Sequence, residues 1–142
     1  MKLRLLMLGK TRRPEMRVVL EDYVKRIGRS CPIEVMEVRD DHAALRKLDA
    51  DRAATVVLLD AAGKNHDSNA LAEWLGELRD RGVREIIFLC GDADGFPENL
   101  RQRAHQKLSL SVMTFSHELA RVMLAEQLYR AFAILSGSPY PK

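Results

Sequence analysis

"REIIFLCGDADGF", Arg84 to Phe96, carries five apolar residues in a row and then breaks into two glycines that enclose two aspartates. A continuous β-branched and aliphatic run, with no polar alternation, is the pattern of a strand covered on both faces. Such strands occupy the middle of parallel sheets, and open α/β sheets bind ligands beyond the carboxyl ends of their strands. The run thus predicts a central strand, and the loop after it is the first place to look for a site.

Working outward, "TVVLLD" (Thr55 to Asp60) repeats the doubly buried pattern, and "KLRLLML" (Lys2 to Leu8) and "CPIEVMEV" (Cys31 to Val38) read as further strands. Between the strands lie helical segments. Pro14 opens one whose Met16, Val19, Leu20, Tyr23, Val24 and Ile27 recur at helical spacing, and Gly28 ends it. "RDDHAALRKLDADRA" is a short polar helical connection. After a loop "AAGKNHD", Ser68 is read as the N-cap of a helix that buries Leu71, Trp74, Leu75 and Leu78. Pro97 starts "PENLRQRAHQKL", "LSLSVMTF" (Leu108 to Phe115) is a fifth strand, and "HELARVMLAEQLYRAFAILS" is a long final helix. Its apolar residues exceed one narrow stripe, which calls for burial on two sides, by its own sheet and by a second subunit. The alternation predicts an α/β fold, a mainly parallel sheet with helices on both faces.

The chain has 142 residues, 46% of them hydrophobic, which suits one domain over residues 1–142. Its net charge of +3 permits an RNA partner without demanding one. Cys31 and Cys90 form no Cys-x-x-Cys pair, so neither a disulfide framework nor a zinc knuckle is expected, and a reducing cytoplasm is the natural home. No apolar stretch has the length of a membrane span or of a signal-peptide core.

What the loop "GDADGF" binds can be narrowed by chemistry. A calcium loop needs more oxygen ligands and a distal glutamate between two helices, and that spacing fails here; no metal is expected. Walker and dinucleotide fingerprints are missing, and two carboxylates repel a phosphate. A ligand carrying positive charge suits the loop, the competing reading being a tight solvated turn before a helix. Two more strand ends offer small residues: "LLDAAGK", and "LSLSVMTFSH" with Ser109, Ser111, Thr114 and Ser116. Three such ends in one pocket suit an adenosine-like ligand.

"LDAAGK", "FLCGDADGF" and "LSLSVMTFSHELARVMLAEQLYRAF", in this order and spacing, resemble the RlmH family of SPOUT methyltransferases, and the opening "MKLRLLMLGK" and the terminal "SPYPK" sit where that family's ends lie. The resemblance spans essentially the whole chain. It implies a trefoil-knotted α/β domain, a homodimer, and methyl transfer from S-adenosylmethionine to N3 of a pseudouridine in 23S ribosomal RNA of the large ribosomal subunit. It places Leu59, Gly91, Ser111, Val112, Met113, Thr114, Phe115 and Ser116 around the cofactor.

Removal of the N3 proton calls for a base or an anion stabiliser, for which Asp94 is the expected acceptor and Tyr140 the residue that positions the ring. Lys10, Arg12, Arg13 and Lys142 are expected to meet RNA phosphates, with Lys64 as a further contact. Arg121 is assigned to phosphate or a base oxygen, the alternative being a solvated or salt-bridged surface arginine, as for Arg130. "HELAR" lacks the second histidine of a zinc-protease motif, and His42, His66 and His105 are expected at the surface. Two departures from the family stand out. Gly91-Asp92-Ala93-Asp94-Gly95 replaces Gly-Gly-Pro-Glu-Gly, and Ser138-Pro139-Tyr140-Pro141 replaces His-Pro-Tyr-His. The lost histidines leave a second reading open, a catalytically altered RNA- or ribosome-binding protein of the same fold, and a third, a small-molecule enzyme on a similar sheet.

Overall fold

In the computed structural model, which describes residues 1–140, ten elements follow one another. They are β1 (Lys2–Leu8), α1 (Pro14–Ile27), β2 (Ile33–Val38), α2 (Asp41–Ala50), β3 (Thr55–Asn65), α3 (Ser68–Asp80), β4 (Glu85–Cys90), α4 (Glu98–Arg101), β5 (Gln106–Ser109) and α5 (His117–Ser136). The strands pair in the order β2-β1-β4-β3-β5, all in parallel.

β4 is central, as its composition demands, with Phe88 opposite both Leu5 of β1 and Val57 of β3. The pleat divides its side chains between two cores. Ile86, Phe88 and Cys90 join Leu3, Leu5 and Met7 under Leu20, Leu75 and Leu128 of α1, α3 and α5. Ile87 and Leu89 join Leu6 and Leu8 under Ala44, Leu48 and Leu100 of α2 and α4. Every residue of β4 is buried, and each large one stabilises the fold by about 1.5–3 kcal/mol.

Four differences from the sequence reading bear on the architecture, besides shifts of a few residues at other element ends. β3 continues through the expected loop to Asn65, because Gly63 lets the backbone of β5 approach: a Cβ there would lie 2.7 Å from the carbonyl of Lys107. The ladder slips at this point, Leu108 pairing with both Leu59 and Lys64. α4 is one turn rather than a helix to residue 108, since the chain swings back to pair with β3: His105 donates its backbone N–H to the carbonyl of Val56, whose own N–H donates to His105 Nδ1, both at 2.8 Å. The fifth strand ends at Ser109, and residues 110–115 form a loop. The N-cap of α3 is Asp67, whose carboxylate accepts from the amide of Ala70 at 2.7 Å; Ser68 instead donates to Gln127.

α5 packs against α1 on one side, α3 on the other and β4 beneath. Two flanking helices cover most of its apolar surface within the chain, while Leu119 and Ile134 stay exposed.

Candidate functional site

Beside the middle of β3, beyond the carboxyl end of β4 and at the loop after β5, the chain encloses a cavity of about 440 Å³. β3 contributes Leu59, Asp60 and Ala61; β4 contributes Cys90; the loops add Gly91, Asp92, Ala93, Gly95, Phe96, Leu110, Ser111 and residues 113–116; α4 adds Arg101; α5 adds His117 and Ala120. Five of these side chains, Leu59, Phe96, Leu110, Met113 and Phe115, are large and apolar, and Asp60, Asp92, Ser111, Thr114, Ser116 and His117 add polar groups. That volume and lining match a pocket for a ligand of nucleoside size.

Local sequence builds each wall. Gly91 faces the turn that follows it, where a Cβ would lie 3.1 Å from the carbonyl oxygen of Gly95 and 3.3 Å from the ring of Phe96. The turn is closed by Asp92, whose carboxylate accepts from the amide of Asp94 at 2.9 Å and whose carbonyl accepts from the amide of Gly95 at 3.1 Å, with Gly95 at φ +81°. The opposite wall is set by serines: Ser109 Oγ donates to the carbonyl of Ser111, Ser111 Oγ accepts from the amide of Met113, and Ser116 caps α5 by accepting from Leu119.

The charges are mixed. Asp60 accepts from the amide of Ala62 at 2.9 Å and from Arg101 Nη1 at 2.7 Å, and these two bonds hold its carboxyl below the usual range. Burial pushes the Cys90 thiol up to about 12, so this cavity-lining cysteine is a neutral, unreactive group at neutral pH. Among the described residues no cluster of acidic, histidine or cysteine side chains could hold a metal ion.

This topology is that of a known family. A family model described as "Predicted SPOUT methyltransferase" matches residues 1–141. The chain belongs to the SPOUT methyltransferase family.

Within that family it is similar to proteins named ribosomal RNA large subunit methyltransferase H. The one from Pelobacter propionicus is 42% identical over 151 residues, covering 99% of each chain. The one from Koribacter versatilis is 42% identical over 142 residues, covering 99% of this chain and 97% of that one. Solved structures share the fold at low identity. A probable methylase family protein from Haemophilus influenzae Rd KW20 superposes with a TM-score of 0.63 at 12% identity, covering 99% of this chain and 70% of that chain. The SpoU methyltransferase AviRb from Streptomyces viridochromogenes, solved in complex with AdoMet, gives 0.59 at 13% identity, covering 96% and 59%.

Of the residues singled out from the sequence of this SPOUT methyltransferase, Leu59, Gly91, Ser111, Met113, Thr114, Phe115 and Ser116 line the one cavity. Val112 does not: it is 79% exposed on the loop's outer side. Asp94 is exposed at the tip of the turn and is not part of the lining. Tyr140 lies against α1 and α5, donating to Glu126 Oε2 at 2.8 Å, with its ring edge-on to Tyr129. Lys10, Arg12 and Arg13 are exposed, whereas Lys142 lies outside the described residues. Arg121 corrects its assignment as an RNA contact or surface group: it is fully buried and hydrogen-bonded to backbone carbonyls inside the chain. Its sequence signal was its place in the stripe Arg121, Leu124, Ala125, Leu128, which is buried throughout. His117, Asp60 and Arg101 were missed, because single polar residues beside a strand end or helix start carry no pattern of their own.

Proposed function

We propose that this chain transfers a methyl group from S-adenosylmethionine to N3 of a pseudouridine in 23S ribosomal RNA, acting in the cytoplasm as a homodimer of one SPOUT-type, trefoil-knotted domain. The observation that carries the reading is that Leu59, Gly91 and the segment from Ser111 to Ser116, separated by more than fifty residues of sequence, share one nucleoside-sized cavity in a chain of this family.

The residues fit the cofactor. Gly91 leaves open the space that a side chain would take from the turn, Leu59, Met113 and Phe115 offer apolar contact to adenine, and Asp92 brings a carboxylate to the wall. When bound, the cofactor supplies a methyl on a positively charged sulfur. Methyl transfer to N3 would leave a neutral thioether and would require a base of this chain to take the N3 proton. Carboxylates and carbonyls at the wall steady the positive charge, and much of the rate comes from holding methyl and nitrogen in line.

Asp94, beside the cavity-lining Ala93 and Gly95, is the proposed proton acceptor, and His117 in the wall is the second candidate. Loss of the true acceptor lowers kcat by about 10²–10⁴-fold, so Asp94→Asn and His117→Asn, each assayed on ribosomes, separate the two. Tyr140 positions the base ring in this reading, and Lys10, Arg12 and Arg13 meet phosphates.

Calorimetric titration with S-adenosylmethionine and mass spectrometry of ribosomal RNA from cells lacking the protein test the proposal. Micromolar cofactor binding and loss of one methylpseudouridine are expected. Cofactor binding with an unchanged modification pattern would favour the non-catalytic RNA-binding reading instead.

A further inference from the structure

The side chains of Lys10, Arg12 and Arg13 are exposed, yet the backbone that carries them is gripped from the first turns of α5. The amides of Arg12 and Arg13 each donate at 3.0 Å to one oxygen of Glu118, a carboxylate 6% exposed. Arg121, with no exposed surface, donates to the carbonyls of Leu8 at 2.6 Å and Gly9 at 3.1 Å and to Thr11 Oγ1 at 3.0 Å. It also reaches the carbonyl of Gly91, in the cavity floor, at 3.4 Å. Thr11 is buried and donates its amide to Glu37.

Hydrogen bonds with a charged partner are about twice as strong as neutral ones, and a buried charge deprived of its partner is costly. Committing two buried charges to five backbone groups and one hydroxyl is more than a simple change of chain direction requires. Glu118 follows directly on Ser116 and His117, which line the cavity, and Arg121 lies about one helical turn further on.

We infer that Glu118 and Arg121 are positioning residues that present the basic loop, residues 10–13, in one fixed setting beside the cofactor cavity, so that RNA phosphates meet preorganised cations. This rests on the proposed RNA methyltransferase activity. The two residues divide the work unequally. Glu118 holds the loop backbone and faces His117 Nε2 at 3.9 Å, whereas Arg121 bonds both the loop and the Gly91 carbonyl of the cavity lining.

Glu118→Gln leaves one carbonyl oxygen for two amides and turns an NH2 donor toward the other. A loop that then spends about a tenth to a fifth of its time in the competent setting binds RNA about five- to tenfold more weakly. The expected result is a KM for ribosomal substrate raised by that factor, with the dissociation constant for S-adenosylmethionine within about twofold of wild type. Arg121→Lys, with fewer donors, is expected to weaken both RNA and cofactor binding. An unchanged RNA KM in folded Glu118→Gln, or a cofactor affinity that falls as far as the RNA KM rises, would overturn the inference. Should Arg121→Lys not fold, the Glu118 arm decides alone. Wild-type protein that methylates no ribosomal RNA sinks the underlying activity and this inference with it; an active wild type with an unmoved KM sinks only the inference.

Discussion

Gly91 shows how much of the site rests on a single missing methyl group. The added carbon of Gly91→Ala would press on the Gly95 carbonyl at 3.1 Å and the Phe96 ring at 3.3 Å, both fixed by the hydrogen-bonded turn. The turn has to give by a few tenths of an ångström, and its Gly95 and Phe96 are part of the cavity lining. The expected outcome is cofactor binding about tenfold weaker, equivalent to about 1.4 kcal/mol, read by calorimetry with folding checked by circular dichroism. The glycines of this loop were legible in the sequence because turns of this kind announce themselves by composition. Arg121 was not, since a charged letter in a helix says nothing of whether its partners are water or carbonyls a hundred residues away.

At the level of elements, strands whose burial is decided by their own residues were legible: β4 follows from an uninterrupted apolar run and β1 from the run Leu5 to Leu8 after Arg4. The misread boundaries are those fixed by a neighbour. β3 continues because Gly63 accepts the backbone of Lys107, and α4 stops because His105 is drawn onto Val56. The same distinction sorts the helix predictions. Asp67→Ala removes the side-chain acceptor of the α3 N-terminus and should cost about 1 kcal/mol, measured by urea unfolding. Leu128→Ala, at a fully buried position of α5 in the core beneath α1 and α3, should cost about 2–5 kcal/mol, because the surrounding side chains close only partly over the gap. A smaller loss at Leu128 than at Asp67 would mean that α5 is not the packed centre of that layer.

For the whole molecule, charge sets two solution properties. Three exposed cations on the basic loop, each neutralising one phosphate of single-stranded RNA, predict a slope of about −2 in a plot of log binding constant against log salt. A slope twice as steep would bring other cations, or a second subunit's loop, into the contact. The second property is the dependence of stability on pH. Burial pushes the Glu118 carboxyl up, but the amides of Arg13 and Arg12, with His117 and Arg121 nearby, outweigh it and hold the group below its ordinary value of 4.5. As pH falls through that value the unfolded chain takes up a proton that the folded chain refuses, so the stability Glu118 contributes is present above pH 4.5 and drains away below it. Glu85 has the opposite sign: burial, then a hydrogen bond shared with Asp51, raise its carboxyl, so its contribution is present below 4.5 and is lost as pH rises through the folded value. The two slopes partly cancel in the wild-type curve, and difference curves separate them. Urea midpoints measured from pH 6 to about pH 3 should fall less steeply in Glu118→Gln than in wild type, and more steeply in Glu85→Gln. Parallel curves for Glu118→Gln and wild type would show that its carboxylate does not grip the basic loop in solution.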